Sequence, residues 1–209
     1  MALRNIGVPY EVVGISEIDK YAIQAYMAVH GETKNYGDIS KIDWAEVPDF
    51  DLFTYSFPCT DLSNAGKQAG MEEGSGTRSS LLWECRKAIE AKHPKYLLLE
   101  NVKALVSEKF LPGYKKWVFY LESQGYTTFA QVLNAKDYGI PQNRERIFVV
   151  SIRESDKWYS FPQPIPLKLR LKDMLEGKVD EKYYLPQDKV NQFVQDLPPS
   201  KLKLLEKDE

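Results

Sequence analysis

Two cysteines stand in very different settings, and only one of them is placed to act as a nucleophile. Cys59 follows Pro58 at the start of a polar, glycine-rich stretch, which argues against burial of its thiol. A partly ionised thiol is a strong nucleophile near neutral pH. Cys85 instead shares the apolar face of a helical pattern and is predicted to be a small buried core residue. Cys59 is therefore the candidate for covalent chemistry.

Charged and amide side chains that could assist a nucleophile occur in two further segments. Glu100 and Asn101 follow an apolar run, and Gln142, Arg144 and Arg146 lie together in a third segment. A carboxyl group can exchange a proton, and a guanidinium can stabilise developing negative charge. Taken singly, Glu100 could merely cap the next element, and the two arginines could form an exposed pair on an edge strand.

Alternating apolar patterns predict the elements that position these residues. Short β-branched or apolar runs alternate with amphipathic helical patterns, and two strand patterns follow one another late in the chain. This order predicts an α/β fold with a mostly parallel sheet and an antiparallel edge. The predicted strands are 10–16, 51–56, 96–99, 126–133 and 146–152, and the predicted helices are 19–31, 79–92 and 114–123.

Three candidate residues follow predicted strands directly. Glu17, Cys59 and Glu100 each come after a strand pattern. Because ligands of such sheets bind outside the carboxyl ends of the strands, these side chains are predicted to meet at one site.

Composition narrows the classes of function. The 209 residues carry 28 basic and 30 acidic side chains, so the net charge is 28 − 30 = −2. The chain therefore lacks the excess positive charge that is typical of a protein that binds a phosphate backbone by itself. Two cysteines without a Cys/His spacing predict neither a disulfide scaffold nor a metal site. With no signal-peptide pattern and no apolar run of roughly 20 residues, we expect a cytoplasmic protein with no membrane partner.

Four segments taken together resemble the DNA cytosine-5 methyltransferase family. They are SFPCTDLS at 56–63, GTRSSLLWE at 76–84, ENV at 100–102 and QNRER at 142–146, and the resemblance runs over roughly residues 7–185. It implies a Rossmann-like methyltransferase fold that depends on S-adenosylmethionine and releases S-adenosylhomocysteine. The implied activity is methyl transfer to C5 of cytosine in DNA, in a restriction-modification, phage or mobile-element setting.

The resemblance also implies a role for each catalytic residue. Cytosine C5 is too electron-poor to take a methyl group directly, so a thiolate first adds at C6, and Cys59 is the implied nucleophile. Glu100 would share a proton with N3, and Arg146 would lie near O2. Arg144 would contact either backbone phosphates or the region of the thiol.

Other implied roles concern the substrate and the chain around it. Asn101 would orient the loop that carries Cys59, and Gln142 would help to position the substrate. The partner would be double-stranded DNA with its target base flipped out of the helix, and residues 64–76 would form a mobile lid over that base.

The methyl donor has its own set of implied contacts. An acidic residue after a strand commonly binds ribose hydroxyls, although such a residue can also be a solvated charge. The cofactor-binding residues implied by the resemblance are Glu17, Ile18, Asp38, Ile39, Pro58 and Leu82, with Leu81 as an alternative to Leu82.

Both ends of the sequence depart from the family pattern. Residues 1–4 already match the first helix, so the first strand and its glycine loop are expected to be missing. Residues 1–152 are predicted to form the catalytic core, and residues 153–209 a proline-rich linker and an incomplete start of the target-recognition region. The chain could be a piece of an active DNA enzyme, or a silent or split-enzyme subunit completed by a second polypeptide or by self-association. It could also be a transfer-RNA cytosine-5 methyltransferase.

Overall fold

The computed structural model describes residues 2–58, 78–154 and 158–197. The chain divides into two compact units, Met1–Lys168 and Leu169–Glu209. The first unit thus extends past residue 152, where the sequence predicts the core to end. In the described part of the chain, no helix combines the length and apolar character needed to cross a membrane.

A four-stranded mixed sheet forms the centre of the first unit. Its strands are β1 (Leu52–Tyr55), β2 (Tyr96–Val102), β3 (Tyr126–Asn134) and β4 (Glu145–Arg153), in the order β1-β2-β4-β3. β1 and β2 are parallel, whereas β4 runs antiparallel to both of its neighbours, so three strands point one way and β4 points the other. The predicted reversed strand is present, but it lies one position in from the edge.

Five α-helices are found among the described residues. They are α1 (Ala2–Asn5), α2 (Lys20–His30), α3 (Glu84–Lys92), α4 (Leu111–Ser123) and, in the second unit, α5 (Gln187–Gln195). Asp19 caps α2 by accepting hydrogen bonds from the N–H groups of Tyr21 and Ala22. The helix predicted from residue 79 instead starts as a 3₁₀ helix, Arg78–Trp83, and becomes α-helical at Glu84.

Two predicted strands differ from the structure. The expected strand at 10–16 does not form, because Ile15 alone finds a partner, in an isolated parallel bridge to Asn35. Tyr10 and Val12 are 41% and 43% exposed. Their side chains favour a β-strand, but no second strand among the described residues pairs with them. β2 is longer than predicted and continues to Val102, so Glu100 lies within the strand.

The core lies on the face of the sheet covered by α3 and α4. Leu99 of β2 and Val149 of β4 are paired across the ladder and buried. Trp117 of α4 is fully buried, and its Nε1–H donates to the hydroxyl of Tyr55 at 3.1 Å. This contact fixes α4 against the end of β1, where the chain leaves towards Cys59.

Candidate functional site

An ion pair across β2 and β4 brings two predicted catalytic residues together. Arg146 Nε lies 3.0 Å from Glu100 Oε1, and their side chains are 23% and 37% exposed. Val102 pairs with Arg146 and Glu100 pairs with Phe148, so Glu100 and Arg146 are diagonal neighbours on one face of the sheet. The arrangement presents a carboxyl group and a guanidinium side by side at a partly open surface.

Asn101 faces the opposite way and reaches the segment that leads to Cys59. It is 2% exposed, and its Nδ2–H donates to the carbonyl oxygen of Phe57 at 3.0 Å. This bond fixes the backbone two residues before Cys59. Cys59 itself, like the predicted lid at 64–76, lies outside the described residues, so its position relative to Glu100 stays a prediction.

The turn between β3 and β4 carries the other two predicted site residues of the QNRER segment. Gln142 and Arg144 are both exposed. Asn134, which ends β3, organises this turn: its Oδ1 accepts from Arg144 N–H at 3.1 Å, and its Nδ2–H donates to Asn143 Oδ1 at 2.7 Å. The sequence analysis missed this residue, although an asparagine at a strand end is a recognised turn signal.

A second ion pair lies at the same end of β2 and β4. Lys103 Nζ lies 3.1 Å from Glu145 Oε1, joining the residue after β2 to the first residue of β4. Its side chains are 59% and 46% exposed, so it is more open to solvent than the Glu100–Arg146 pair. Lys103 and Glu145 were not singled out from the sequence either.

The predicted cofactor residues Glu17 and Asp38 lie on two segments tied together by hydrogen bonds. Asn35 Oδ1 accepts from the N–H groups of Glu17 and Gly37, at 3.1 and 3.0 Å, and Ser16 Oγ donates to Gly37 O at 2.7 Å. Asp38 accepts hydrogen bonds from the hydroxyl and the N–H of Ser40, which lower the pKa of the Asp38 carboxyl below its usual value.

The apolar members of the predicted cofactor set are spread over different environments. Ile18 is 75% exposed, Pro58 is exposed, and Ile39 is partly buried against the core. Leu82 is only 1% exposed and belongs to the core, whereas Leu81 is half-buried. Their contact with a cofactor stays a prediction.

Cys85 is buried, as the sequence predicts. It is 2% exposed, and this burial raises the pKa of its thiol to about 12. A thiol that stays protonated and covered is unreactive. Across the described residues, no group of three or more histidine, cysteine or acidic side chains is arranged to hold a metal ion.

Comparison with known families identifies the group to which this architecture belongs. The family model of C-5 cytosine-specific DNA methylase matches residues 1–204. The chain belongs to the C-5 cytosine-specific DNA methylase family. The resemblance drawn from the Cys59, Glu100 and Arg146 segments is thereby confirmed at the level of family.

Curated relatives of this chain include bacterial and phage proteins. It is 41% identical to the type II methyltransferase M2.ScrFI of Lactococcus lactis subsp. cremoris, over 91% of this chain and 68% of that protein. It is 36% identical to the orphan methyltransferase M.SPRI of Bacillus phage SPR, over 96% of this chain and 52% of that protein. The chain thus spans about two thirds of the first relative and about half of the second.

Solved methyltransferase structures share the fold of this chain. The Dnmt2 methyltransferase of S. pombe superposes with a TM-score of 0.71 at 19% identity, covering 94% of this chain and 62% of that one. The methyltransferase EhMeth of Entamoeba histolytica gives 0.69 at 19% identity, covering 88% and 57%. The predicted α/β methyltransferase fold is therefore confirmed.

Proposed function

We propose that this chain is the catalytic part of an enzyme that methylates C5 of cytosine in double-stranded DNA. Family membership supports this proposal, and the observation that carries it is the Glu100–Arg146 ion pair beside the Asn101–Phe57 hydrogen bond. The named relatives are type II and orphan methyltransferases of bacteria and phages, which supports a restriction-modification or phage setting.

The proposed reaction begins with covalent attack on the ring of a flipped cytosine. The Cys59 thiolate forms a bond to C6, and the electron pair of the C5–C6 double bond moves towards N3 and O2. Glu100 gives a proton to N3, while Arg146 stabilises charge at O2. C5 thus becomes electron-rich enough to accept a methyl group. Arg144, on the exposed turn, would hold a phosphate of the DNA backbone, and Gln142 would help to position the substrate.

S-adenosylmethionine supplies the methyl group when bound and leaves as S-adenosylhomocysteine. Glu17 would accept hydrogen bonds from the ribose hydroxyls, and Asp38 would accept one from the adenine amino group. The carboxylates of Glu17 and Asp38 suit a nucleoside ligand, because they lie on segments joined through Asn35 and Ser16. After transfer, N3 returns its proton to the Glu100 carboxylate and a water molecule takes the C5 proton. The C5–C6 double bond forms again as the C6–S bond breaks and releases the Cys59 thiolate.

A second candidate role is that of a split-enzyme subunit completed by another polypeptide. Its supporting observation is β1, which ends the described sheet and has β2 as its one strand neighbour there. Leu52 of β1 is 39% exposed. An edge strand offers unpaired N–H and C=O groups on which a further strand can be added. A transfer-RNA substrate has no comparable support, because the matching family is described as a DNA methylase.

A trapping experiment tests the proposed chemistry. The protein is mixed with S-adenosylmethionine and duplex DNA in which 5-fluorocytosine replaces cytosine. Fluorine at C5 leaves no proton to remove, so the Cys59–C6 bond persists and a denaturation-stable adduct is expected. Cys59→Ser should give no adduct, whereas Cys85→Ala, which alters the buried thiol, should keep it.

The other outcomes separate the candidate roles. An adduct that forms only after addition of a polypeptide that carries a further strand and a glycine loop would favour the split-enzyme subunit. Adduct formation with fluorinated transfer RNA instead of DNA would favour the RNA enzyme. Absence of an adduct under all of these conditions would contradict covalent catalysis by Cys59.

A further inference from the structure

Two segments near the amino terminus are joined by two backbone hydrogen bonds. Ile15 N–H donates to Lys34 O at 2.9 Å, and Tyr36 N–H donates to Ile15 O at 2.8 Å. The approach is close: a Cβ added to Gly14 would lie 2.4 Å from Cε2 of Tyr36. Gly14 is therefore required here by space, and the segment before Glu17 is held tightly against the segment before Asp38.

Asn35 extends this contact beyond the bridge. Its Oδ1 accepts from Glu17 N–H at 3.1 Å, and its Nδ2–H donates to Glu17 O at 3.0 Å. One amide side chain thus satisfies both backbone groups of Glu17, as a partner strand would. The same Oδ1 accepts from Gly37 N–H at 3.0 Å, directly before Asp38. Asn35 therefore links the backbones next to both predicted cofactor carboxylates.

The carboxylate of Glu17 is itself held in place. Its Oε1 accepts hydrogen bonds from the N–H groups of Ile18 and Asp19, at 2.8 and 2.9 Å. With backbone and side chain both fixed, the remaining oxygen Oε2 is presented in a defined direction. A preformed acceptor of this kind loses little conformational entropy when it binds a hydroxyl group.

We infer that Asn35 is a positioning residue for cofactor recognition, which sets Glu17 for the ribose hydroxyls of the methyl donor. The inference rests on the proposed function, in which Glu17 binds that ribose. Asn35 acts through Glu17 and does not itself touch the cofactor. Its loss should therefore weaken binding of a ligand with a complete ribose more than binding of a ligand that lacks the 2′-hydroxyl.

Calorimetric titration of four proteins tests this inference: the wild type, Asn35→Ala, Glu17→Ala and the double variant. The probes are S-adenosylhomocysteine, which cannot react, and its 2′-deoxy analogue. We expect the wild type to prefer the ribose ligand by about tenfold or more, the size of one hydrogen bond to a charged group. Asn35→Ala should weaken binding of the ribose ligand by about tenfold and reduce that preference. In the Glu17→Ala background, Asn35→Ala should have a much smaller effect on affinity.

A matched control and a structural readout complete the test. Gln24→Ala removes an exposed amide from α2, the helix after Glu17, and should leave both affinities unchanged. Hydrogen exchange at the Glu17 and Gly37 amides should accelerate in Asn35→Ala, while the melting temperature identifies any variant that simply unfolds.

Two results overturn the inference in distinguishable ways. If the folded wild type binds S-adenosylhomocysteine but Asn35→Ala weakens the ribose and deoxyribose ligands equally, Asn35 is only structural and the proposed function survives. If the folded wild type binds neither ligand, cofactor binding by this chain is contradicted, and the inference falls with it.

Discussion

Glu100 and Glu145 both form ion pairs at the junction of β2 and β4, yet the proposed mechanism uses only one of them. Glu100 contacts Arg146 and Glu145 contacts Lys103, at 3.0 and 3.1 Å. Partly exposed pairs of this kind contribute at most about 1 kcal/mol to stability. The two glutamates therefore allow a test in which stability and catalysis are separated.

Glu100→Gln should slow adduct formation by about a hundredfold or more, because the amide cannot give a proton to N3. Glu145→Gln removes a similar surface charge and should change the rate by less than about threefold, since Glu145 has no role in the ring chemistry. Both rates are measured by gel analysis of the fluorinated-DNA adduct, beside urea denaturation of each variant. Equal slowing by the two substitutions would remove Glu100 from the proton-transfer role.

At the scale of elements, Trp117 and Phe119 of α4 lie in opposite environments. Trp117 is fully buried and bonded to the Tyr55 hydroxyl, whereas Phe119 is 73% exposed. Trp117→Ala should lower the free energy of unfolding by about 3–5 kcal/mol, because it leaves a cavity and an unpaired hydroxyl. Phe119→Ala should change it by about 0.5 kcal/mol or less. Urea denaturation measures both, and similar losses would contradict the packing of α4 described above.

Local signals account for the elements that the sequence predicted well. Asp19 caps α2, and α3 ends at Lys92, with His93 as its C-cap directly before Pro94, because caps and proline act on the nearest turn of backbone. Residues 10–16 have strand-forming side chains, but a strand also requires a partner, and within the described part of the chain only Ile15 has one. Strand propensity alone does not show whether a partner strand is present.

Within the candidate site, too, some residues could be predicted from the sequence and others could not. Cys59, Glu100 and Arg146 were recognisable from residue types in a characteristic order. Asn35 and Asn134 were not, because their roles depend on hydrogen bonds to groups as far away as Glu17 and Arg144. An asparagine gives no indication in the sequence of which backbone it will satisfy.

At the scale of the whole molecule, burial of weakly acidic groups predicts sensitivity to alkaline pH. Burial raises the pKa of the Cys85 thiol from 9.0 to about 12 and the pKa values of Tyr114 and Tyr126 from 10.0 to about 12. In the unfolded chain these groups lose their protons nearer their ordinary values. Their contribution to stability is therefore complete below pH 9 and is lost as the pH rises towards 12.

Urea denaturation between pH 8 and 11 should show the free energy of unfolding falling from about pH 9, at up to about 1.4 kcal/mol per pH unit for the thiol. Cys85→Ala is the control: its decline should begin nearer pH 10, where the tyrosines of the unfolded chain ionise, so its stability should approach that of the wild type as the pH rises. A decline that begins at pH 9 in both proteins would exclude Cys85 as its source.

The position of β4 has a consequence for how the first unit is assembled during synthesis. Of the four described strands, β4 is the last to leave the ribosome, yet it lies between β2 and β3. Among these strands, β3 lacks a partner until Glu145–Arg153 has emerged, and β2 is paired with β1 alone. Most of the sheet thus closes in one late step. Before that step the nascent chain exposes strand edges that favour misassembly, so chaperone demand should be greatest just before β4 appears.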